Sequence, residues 1–370
     1  MSTGLPVTTL VPLLTFALAF LFGAAAQRSH FCTLGAVADI AAFGDWRRMR
    51  MWAFAIAVAL AGAHGLQQVG LINLGKSFYT PAAVPWLSHL LGGFIFGLGM
   101  ALASGCGAKS IVRAGGGNMK SWVVLLVFAI SAYMTLKGLF GVWRVTALDP
   151  WRWSTGAPQS DLSTLVATWG GWSRAGVASW LPYLVALGLS AWAFASADFR
   201  SQRDGVIGSL LIGASIAGVW YVSGQLGYVA EHPETLEEAF LATNTGRLES
   251  LSFSAPLAYT LELLMFWSDK SRVVTLGIAG VLGMLAGATA MSLISREFRW
   301  EGFTTREDLA HHLLGGLLMG FGGVTAMGCT IGQGLTGVST LAAGSLLTLG
   351  AIIGGAFTAL RYLAWRAEKA

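Results

Sequence analysis

Three cysteines, Cys32, Cys106 and Cys329, are the residues of this chain most able to do chemistry. A thiol can pair into a disulfide, ligate a soft metal, or touch a sulfur compound. An odd number cannot all pair, and each cysteine sits in or beside an apolar segment, so free thiols are expected. A zinc set would call for the short C-x₂-C or H-x₃-H spacing of structural sites, which the sequence lacks, so neither a metal nor a cofactor is expected. Two of the cysteines are equivalents in a duplication: His89-Leu90-Leu91-Gly92-Gly93 runs to Gly105-Cys106, and His312-Leu313-Leu314-Gly315-Gly316 runs to Gly328-Cys329. The offset from His89 to His312, 223 residues, holds without a gap at Gly97/Gly320, Gly99/Gly322 and Cys106/Cys329. Matched thiols in a duplicated, glycine-rich apolar segment point to a symmetric site with sulfur at its centre.

The residues around each thiol say how it is presented. Ser104-Gly105-Cys106-Gly107 and Met327-Gly328-Cys329-Thr330 interrupt apolar helical runs. A helix that restarts there aims its first amides, and about +0.5 charge, at whatever lies before it, which suits a small anion. Lys109 adds formal charge after the first break. The pairs Gly93/Gly97 and Gly316/Gly320 are small-xxx-small spacings that let helix backbones approach closely. Cys32 closes the stretch Gln27-Arg28-Ser29-His30-Phe31-Cys32 at the end of the first apolar run. A lone buried cysteine is ordinarily a small hydrophobe; the match at the repeat offset weighs against that for Cys106 and Cys329.

The elements that must hold these thiols are membrane helices. With 55% hydrophobic and only 11% charged residues, and a mean hydropathy of +0.64, the chain is far more apolar than a soluble domain. Its net charge of +5 belongs to loops at a membrane face, because no basic stripe interleaved with aromatics marks a nucleic-acid surface. Apolar stretches long enough to cross lie at about 9–27, 51–72, 84–103, 121–143, 176–198, 205–229, 272–294, 309–327 and 343–364. Shorter pieces, Phe31 to Phe43, Gly105 to Gly117, Ser254 to Trp267 and Thr330 to Ser339, read as re-entrant or half helices. The first stretch lacks a basic n-region and is expected to be a retained helix. One membrane domain, 1–370, is expected, divided into a first repeat (9–143), an outer loop and linker helix (144–203) and a second repeat (204–365). Four spans, a linker span and four more invert the second repeat about an axis in the membrane plane. With the N-terminus outside and the C-terminus inside, roughly twice as many Lys and Arg residues fall on the inner face as on the outer.

Other polar residues have plainer roles. His89 and His312 share the offset but open spanning segments, where interface anchoring or helix-end hydrogen bonding is expected. His64 lies within a span, where an ionisable group is a functional candidate. Asp39 and Glu262 are the acids expected to be buried. Glu231, Glu234, Glu237 and Glu238 read as a solvated helix face, and Trp86, Trp151, Trp153, Trp172, Trp180, Trp267, Trp300 and Trp365 as interfacial anchors. No Walker motif occurs, so no nucleotide is expected to drive a cycle.

These motifs carry a family resemblance. Gln27-Arg28-x-x-Phe31-Cys32, Gly92-Gly93-x-x-x-Gly97-x-Gly99 leading to Gly105-Cys106 and Arg113-Ala114-Gly115-x-Gly117, and Gly328-Cys329-x-x-Gly332-x-Gly334-Leu335-Thr336-Gly337 resemble the YeeE/YedE family of sulfur-compound membrane transporters over most of the chain. The resemblance implies an all-α, hourglass-shaped protein of the bacterial inner membrane, with nine spanning helices plus short ones, taking up thiosulfate along a line of thiols. It also implies a small cytosolic sulfur-carrier protein as partner. Carried over by motif, Cys32, Cys106 and Cys329 hold the terminal sulfur in turn by S–H···S contacts, with Arg28, Gly105, Gly107, Lys109, Gly328, Thr330 and Gln333 around them. A thiol is a weak donor and soft acceptor, so it would release a polarizable sulfur again. Neutral thiols suit this better than thiolates, which would repel a divalent anion and attack its sulfane sulfur. Ala108, Lys109 and Gly116 depart from the thiosulfate pattern, and another branch of the family is linked to selenium. The alternatives are therefore transport of another sulfur or selenium compound, or a membrane sulfurtransferase or thiol oxidoreductase working through a thiolate.

Overall fold

The computed structural model describes residues 6–154, 156–232 and 236–369. It is an all-α membrane protein. In chain order the helices are α1 (Val7–Arg28), α2 (Thr33–Phe43), α3 (Arg47–Gln68), α4 (Trp86–Leu102), α5 (Gly107–Gly115), α6 (Met119–Lys137) and α7 (Leu139–Trp143). They continue as α8 (Leu162–Gly170), α9 (Arg174–Phe194), α10 (Ala197–Ser201), α11 (Arg203–Tyr221), α12 (Ser254–Met265), α13 (Leu276–Ile294), α14 (Arg306–Thr325) and α15 (Ala343–Lys369). Two residue pairs, β1 (Ala83–Val84) with β2 (Trp153–Ser154) and β3 (Tyr228–Val229) with β4 (Ala239–Phe240), supply the only strands among the described residues.

Eight helical stretches among the described residues are long and apolar enough to cross a membrane. Helix α14 stands apart from them: its first turns carry Arg306, Glu307, Asp308, His311 and His312 ahead of an apolar, glycine-rich remainder. The short pieces read from the sequence are helices at the expected places. These are α2, α5, α12, the wide π-helical turn Gly332–Gly337 and the tighter 3₁₀ turn Val338–Thr340.

Packing follows the glycines. Helices α1 and α13, α3 and α11, α4 and α15, and α6 and α14 lie side by side, while α4 meets α14 and α1 meets α11 at the centre. Between α4 and α14 the backbones touch. A Cβ on Gly99 would lie 2.7 Å from the Gly315 carbonyl oxygen, and a Cβ on Gly315 would lie 2.7 Å from that of Gly99. The pair Gly93/Gly97 faces α15 and the pair Gly316/Gly320 faces α6, where Phe128 of α6 meets Phe96 of α4 with ring centres 6.2 Å apart. Lipid tails are as apolar as leucine, so close backbone approach and dispersion, rather than the hydrophobic effect, hold such helices together. Helix α9 packs chiefly on α3.

Several sequence expectations are corrected. Segment 144–175 is not a plain loop, because it winds through Arg144–Leu148 and contains α8, capped by the Asp161 carboxylate on the Thr164 amide. The backbone at 160–162 also pairs with 341–343, Leu162 N–H donating to Leu341 and Ala343 N–H to Ser160, each at 2.9 Å. The acidic stretch is not helical where described: Glu237 and Glu238 lead into β4, and Glu238 pairs with Lys76 across the surface. Glu231 lies just beyond β3, and Glu234 lies outside the described residues. His89 and His312 are both buried, and of the two roles expected of them hydrogen bonding is the one observed. His89 Nδ1 meets the Thr348 hydroxyl at 2.7 Å, and His312 Nδ1 meets the Asp308 carbonyl at 2.7 Å. The eight tryptophans assigned to the interface are all exposed or half-exposed, as anchors should be, whereas Trp52 and Trp220 are buried.

Candidate functional site

Each cysteine caps a helix, and the chain reaches all three by the same backbone move. Helix α1 ends with the Phe31 N–H donating five residues back to Ala26, α4 with Gly105 to Met100, and α14 with Gly328 to Gly323. One residue earlier the backbone is left-handed, at His30 (φ 52°), Ser104 (φ 56°) and Met327 (φ 60°). None of these is glycine, so each position costs about 1–2 kcal/mol that the surrounding structure must offset. The cysteine follows immediately and opens the next helix: Ala36, Ser110 and Gln333 donate their amides to the carbonyls of Cys32, Cys106 and Cys329. The sulfurs then face the helix N-termini. Cys32 Sγ accepts the Gly35 amide at 3.3 Å and Cys329 Sγ the Gly332 amide at 3.4 Å. Cys106 has the Lys109 amide facing its sulfur without a closed capping bond.

All three thiols are free; Cys106 and Cys329 are buried and Cys32 is partly exposed. Cys106 lies within electrostatic reach of both Cys32 and Cys329. A cavity of about 10 Å³, near the minimum for one water, is walled by Cys32, Cys106, Lys109, Trp52 and Ile331. Each of the three N-termini thus presents partial positive charge to its own cysteine.

Beside Gly328 opens a vestibule of about 390 Å³. Arg144, Arg152 and Arg247 line it with Asp149 and Glu249, serine, threonine and asparagine side chains, and an apolar remainder that includes Phe78, Leu136, Val324 and Met327. Arg144 pairs with Asp149 at 3.3 Å, and Glu249 is buried, accepting the Thr245 amide at 2.8 Å and its hydroxyl at 2.5 Å. Near Cys32 the Arg48 guanidinium fills the space next to Gly35 and pairs with Asp39 at 3.4 Å.

The sequence candidates separate accordingly. Gly105 lets Lys109 fold back, its Cγ 3.1 Å from where a Cβ would stand, and Gly107 takes the edge of Phe128. Gly328 and Thr330 flank Cys329, and Thr330 lies against the Cys106 thiol. Gln333 is fully engaged: its amide donates to the Ala326 carbonyl at 2.7 Å and accepts from the Ser345 hydroxyl at 2.5 Å, so it braces the Cys329 helix. Arg28 is not brought to the thiols; its guanidinium pairs with Asp204 at 3.1 Å on an exposed surface. Glu262 is buried as expected, held by Lys137 (2.7 Å) and Arg272 (3.1 Å), whereas Asp39 is only partly so. The vestibule arginines, Glu249, Arg48 and Tyr79 were not singled out by the sequence. They come from segments without repeat or motif, and only their convergence in space marks them. No group of three or more His, Cys, Asp or Glu side chains among the described residues is placed to hold a metal.

The fold and this arrangement define a multi-pass membrane protein built around free thiols at helix N-termini. The family model described as Sulphur transport matches residues 28–358, and the chain belongs to that family. It is similar to the thiosulfate transporter TsuA of Spirochaeta thermophila, 28% identical over 335 residues that cover 89% of this chain and 92% of that protein. It is also similar to the thiosulfate transporter TsuA of Escherichia coli, 30% identical over 328 residues covering 85% and 84%.

Proposed function

We propose that this protein carries thiosulfate inward across the bacterial inner membrane, passing its terminal sulfur from Cys329 to Cys106 to Cys32. The observation that carries this reading is the recurrence of one geometry, a cysteine opening a helix after a left-handed residue, at three places, with Cys106 in electrostatic reach of the other two thiols. Thiosulfate carries a soft sulfur and a sulfonate with two negative charges in all. The vestibule guanidiniums would draw it in by long-range attraction, the helix N-termini would offset its charge, and the thiols would hold the sulfur loosely enough to release it. Lys109 and Arg48 stand at the exit. The anion passes unchanged, so the protein works as a transporter rather than a sulfurtransferase.

The topology that fits has nine spans, α14 included, arranged as two inverted repeats with the N-terminus outside and the C-terminus inside. The reciprocal packing of α1 on α13 and α3 on α11, and of α4 on α15 and α14 on α6, supports that symmetry. The vestibule then opens outward and Cys32 faces the cytosol, where a small sulfur-carrier protein would take the product. Uptake by proteoliposomes of labelled thiosulfate, sulfite, sulfide and selenite, compared side by side, tests the substrate. Preference for selenite would transfer the protein to the selenium-linked branch.

A further inference from the structure

We propose that Tyr79, Thr330 and Trp52 form a second line of donors beside the thiols, which hold the sulfonate oxygens of the passing anion and so select thiosulfate over sulfur species without oxygen. This rests on the transport reading above and deepens it. All three side chains are at least nine-tenths buried: Tyr79 is 5% exposed, Trp52 3% and Thr330 0%. The Tyr79 hydroxyl, the Thr330 hydroxyl and the Trp52 indole N–H find no hydrogen-bond partner of good geometry among the described residues, the Ser252 hydroxyl being the polar group beside Tyr79 and the Cys106 thiol the one beside Thr330. Buried donors are normally paired, so each such orphan requires an explanation. Neighbouring hydroxyls of the same segment are satisfied, Thr336 donating to Leu251, Ser339 to Thr336 and Thr340 to Gly337. Thr330 therefore stands out against its own surroundings.

Their placement follows the sulfurs. Tyr79 Oη lies 3.5 Å from the Cβ position of Gly332, whose amide is bonded to Cys329 Sγ, so phenol and thiol share one glycine. Thr330 follows Cys329 directly and lies against Cys106. Trp52 shares the wall of the small cavity with Cys106 and Cys32, its ring fixed by stacking on Phe31 at 4.9 Å. Every sulfur station thus has an oxygen-seeking donor at its side. Thiols alone cannot hold a sulfonate, whose hard oxygens require N–H or O–H donors; helix amides supply some, and these side chains supply the rest.

The test measures thiosulfate uptake by proteoliposomes of Tyr79→Phe, Thr330→Val and Thr330→Ser proteins, together with the substrate-free thermal unfolding of each. Deleting an orphan hydroxyl should raise KM for thiosulfate by about tenfold or more, the usual worth of a hydrogen bond to a charged group. The same deletion should leave the melting temperature unchanged or higher, because an unpaired buried group has gone. Thr330→Ser should keep the wild-type KM. Unchanged KM in Tyr79→Phe and Thr330→Val, or a raised KM accompanied by a lower melting temperature, overturns the inference. Cys106→Ala serves as the control for the underlying reading: inactivity there with wild-type behaviour in the hydroxyl variants condemns this inference alone, whereas normal uptake by Cys106→Ala condemns the thiol pathway itself.

Discussion

Cys329 Sγ takes the backbone N–H of Gly332 at 3.4 Å, and through that single contact a thiol at 0% exposure becomes the cap of the helix behind it. Serine preserves such a cap, being a better acceptor at an N-terminus than sulfur. Cys329→Ser is therefore expected to insert and fold like the wild type while losing thiosulfate-supported growth, because the soft atom has gone. Membrane abundance and growth on thiosulfate as sole sulfur source, measured together, check this; growth at the wild-type rate would show that the sulfur serves only as a cap.

The reciprocal contact of Gly99 and Gly315 leaves no room for a methyl group, since each Cβ would stand 2.7 Å from the other residue's carbonyl oxygen. Backbone cannot yield as a flexible side chain does, so α4 and α14 must part. Gly99→Ala is expected to cost about 1–3 kcal/mol, the usual range for overpacking, read as a lower melting temperature in detergent. Gly188, with open space around it, should accept alanine without loss.

Glu262 is a buried carboxylate with two half-exposed partners, Lys137 at 2.7 Å and Arg272 at 3.1 Å. Removing either cation leaves the other in place, so Lys137→Met or Arg272→Met alone should destabilise by roughly 1 kcal/mol. Removing both strands a buried charge, and the double variant should lose about 3–5 kcal/mol, more than the sum of the two. A double-mutant cycle on thermal unfolding gives the coupling directly.

Lys76 and Glu238 join the segment after α3 to the β3–β4 pair. The Lys76 hydrogen bond holds the Glu238 carboxyl below its ordinary value of 4.5, and the Glu238 carboxylate holds the Lys76 ammonium above its ordinary 10.5. Stability from the acid is present above the unfolded glutamate value and lost as pH falls through the lower folded one. Stability from the base is present below the unfolded lysine value and lost as pH rises through the higher folded one. Amide exchange in the paired residues Tyr228–Val229 and Ala239–Phe240 should therefore stay slow across neutral pH and quicken at both extremes, and Glu238→Gln should remove the acid limb.

Much of the site was legible because its signals were local in the chain. The duplicated glycines, the matched cysteines and the short helices after them all sit at fixed spacings, and α2, α5 and the turns after Cys329 form where those spacings place them. The means of presenting the thiols was not legible. A helix end with a left-handed residue is ordinarily announced by glycine, but here His30, Ser104 and Met327 take that conformation without it. Side-chain direction was equally hidden. Arg28 is two residues from the left-handed break-out of α1 at His30 yet turns to Asp204, and Gln333 lies beside the Cys329 motif yet serves as a brace. Burial of His89 followed from α15 packing over α4, a contact between residues 259 apart in sequence. The vestibule was invisible for the same reason, since Arg144 and Arg152, from the segment after α7, meet Arg247 only in the fold.

The most direct measurement is the uptake of labelled thiosulfate by proteoliposomes containing wild-type, Cys106→Ala or Cys329→Ala protein at matched amounts. Wild-type vesicles should accumulate the anion chemically intact, and both variants should fall to the level of empty vesicles while keeping wild-type insertion. Intact uptake by either variant at the wild-type rate would contradict passage along the thiols.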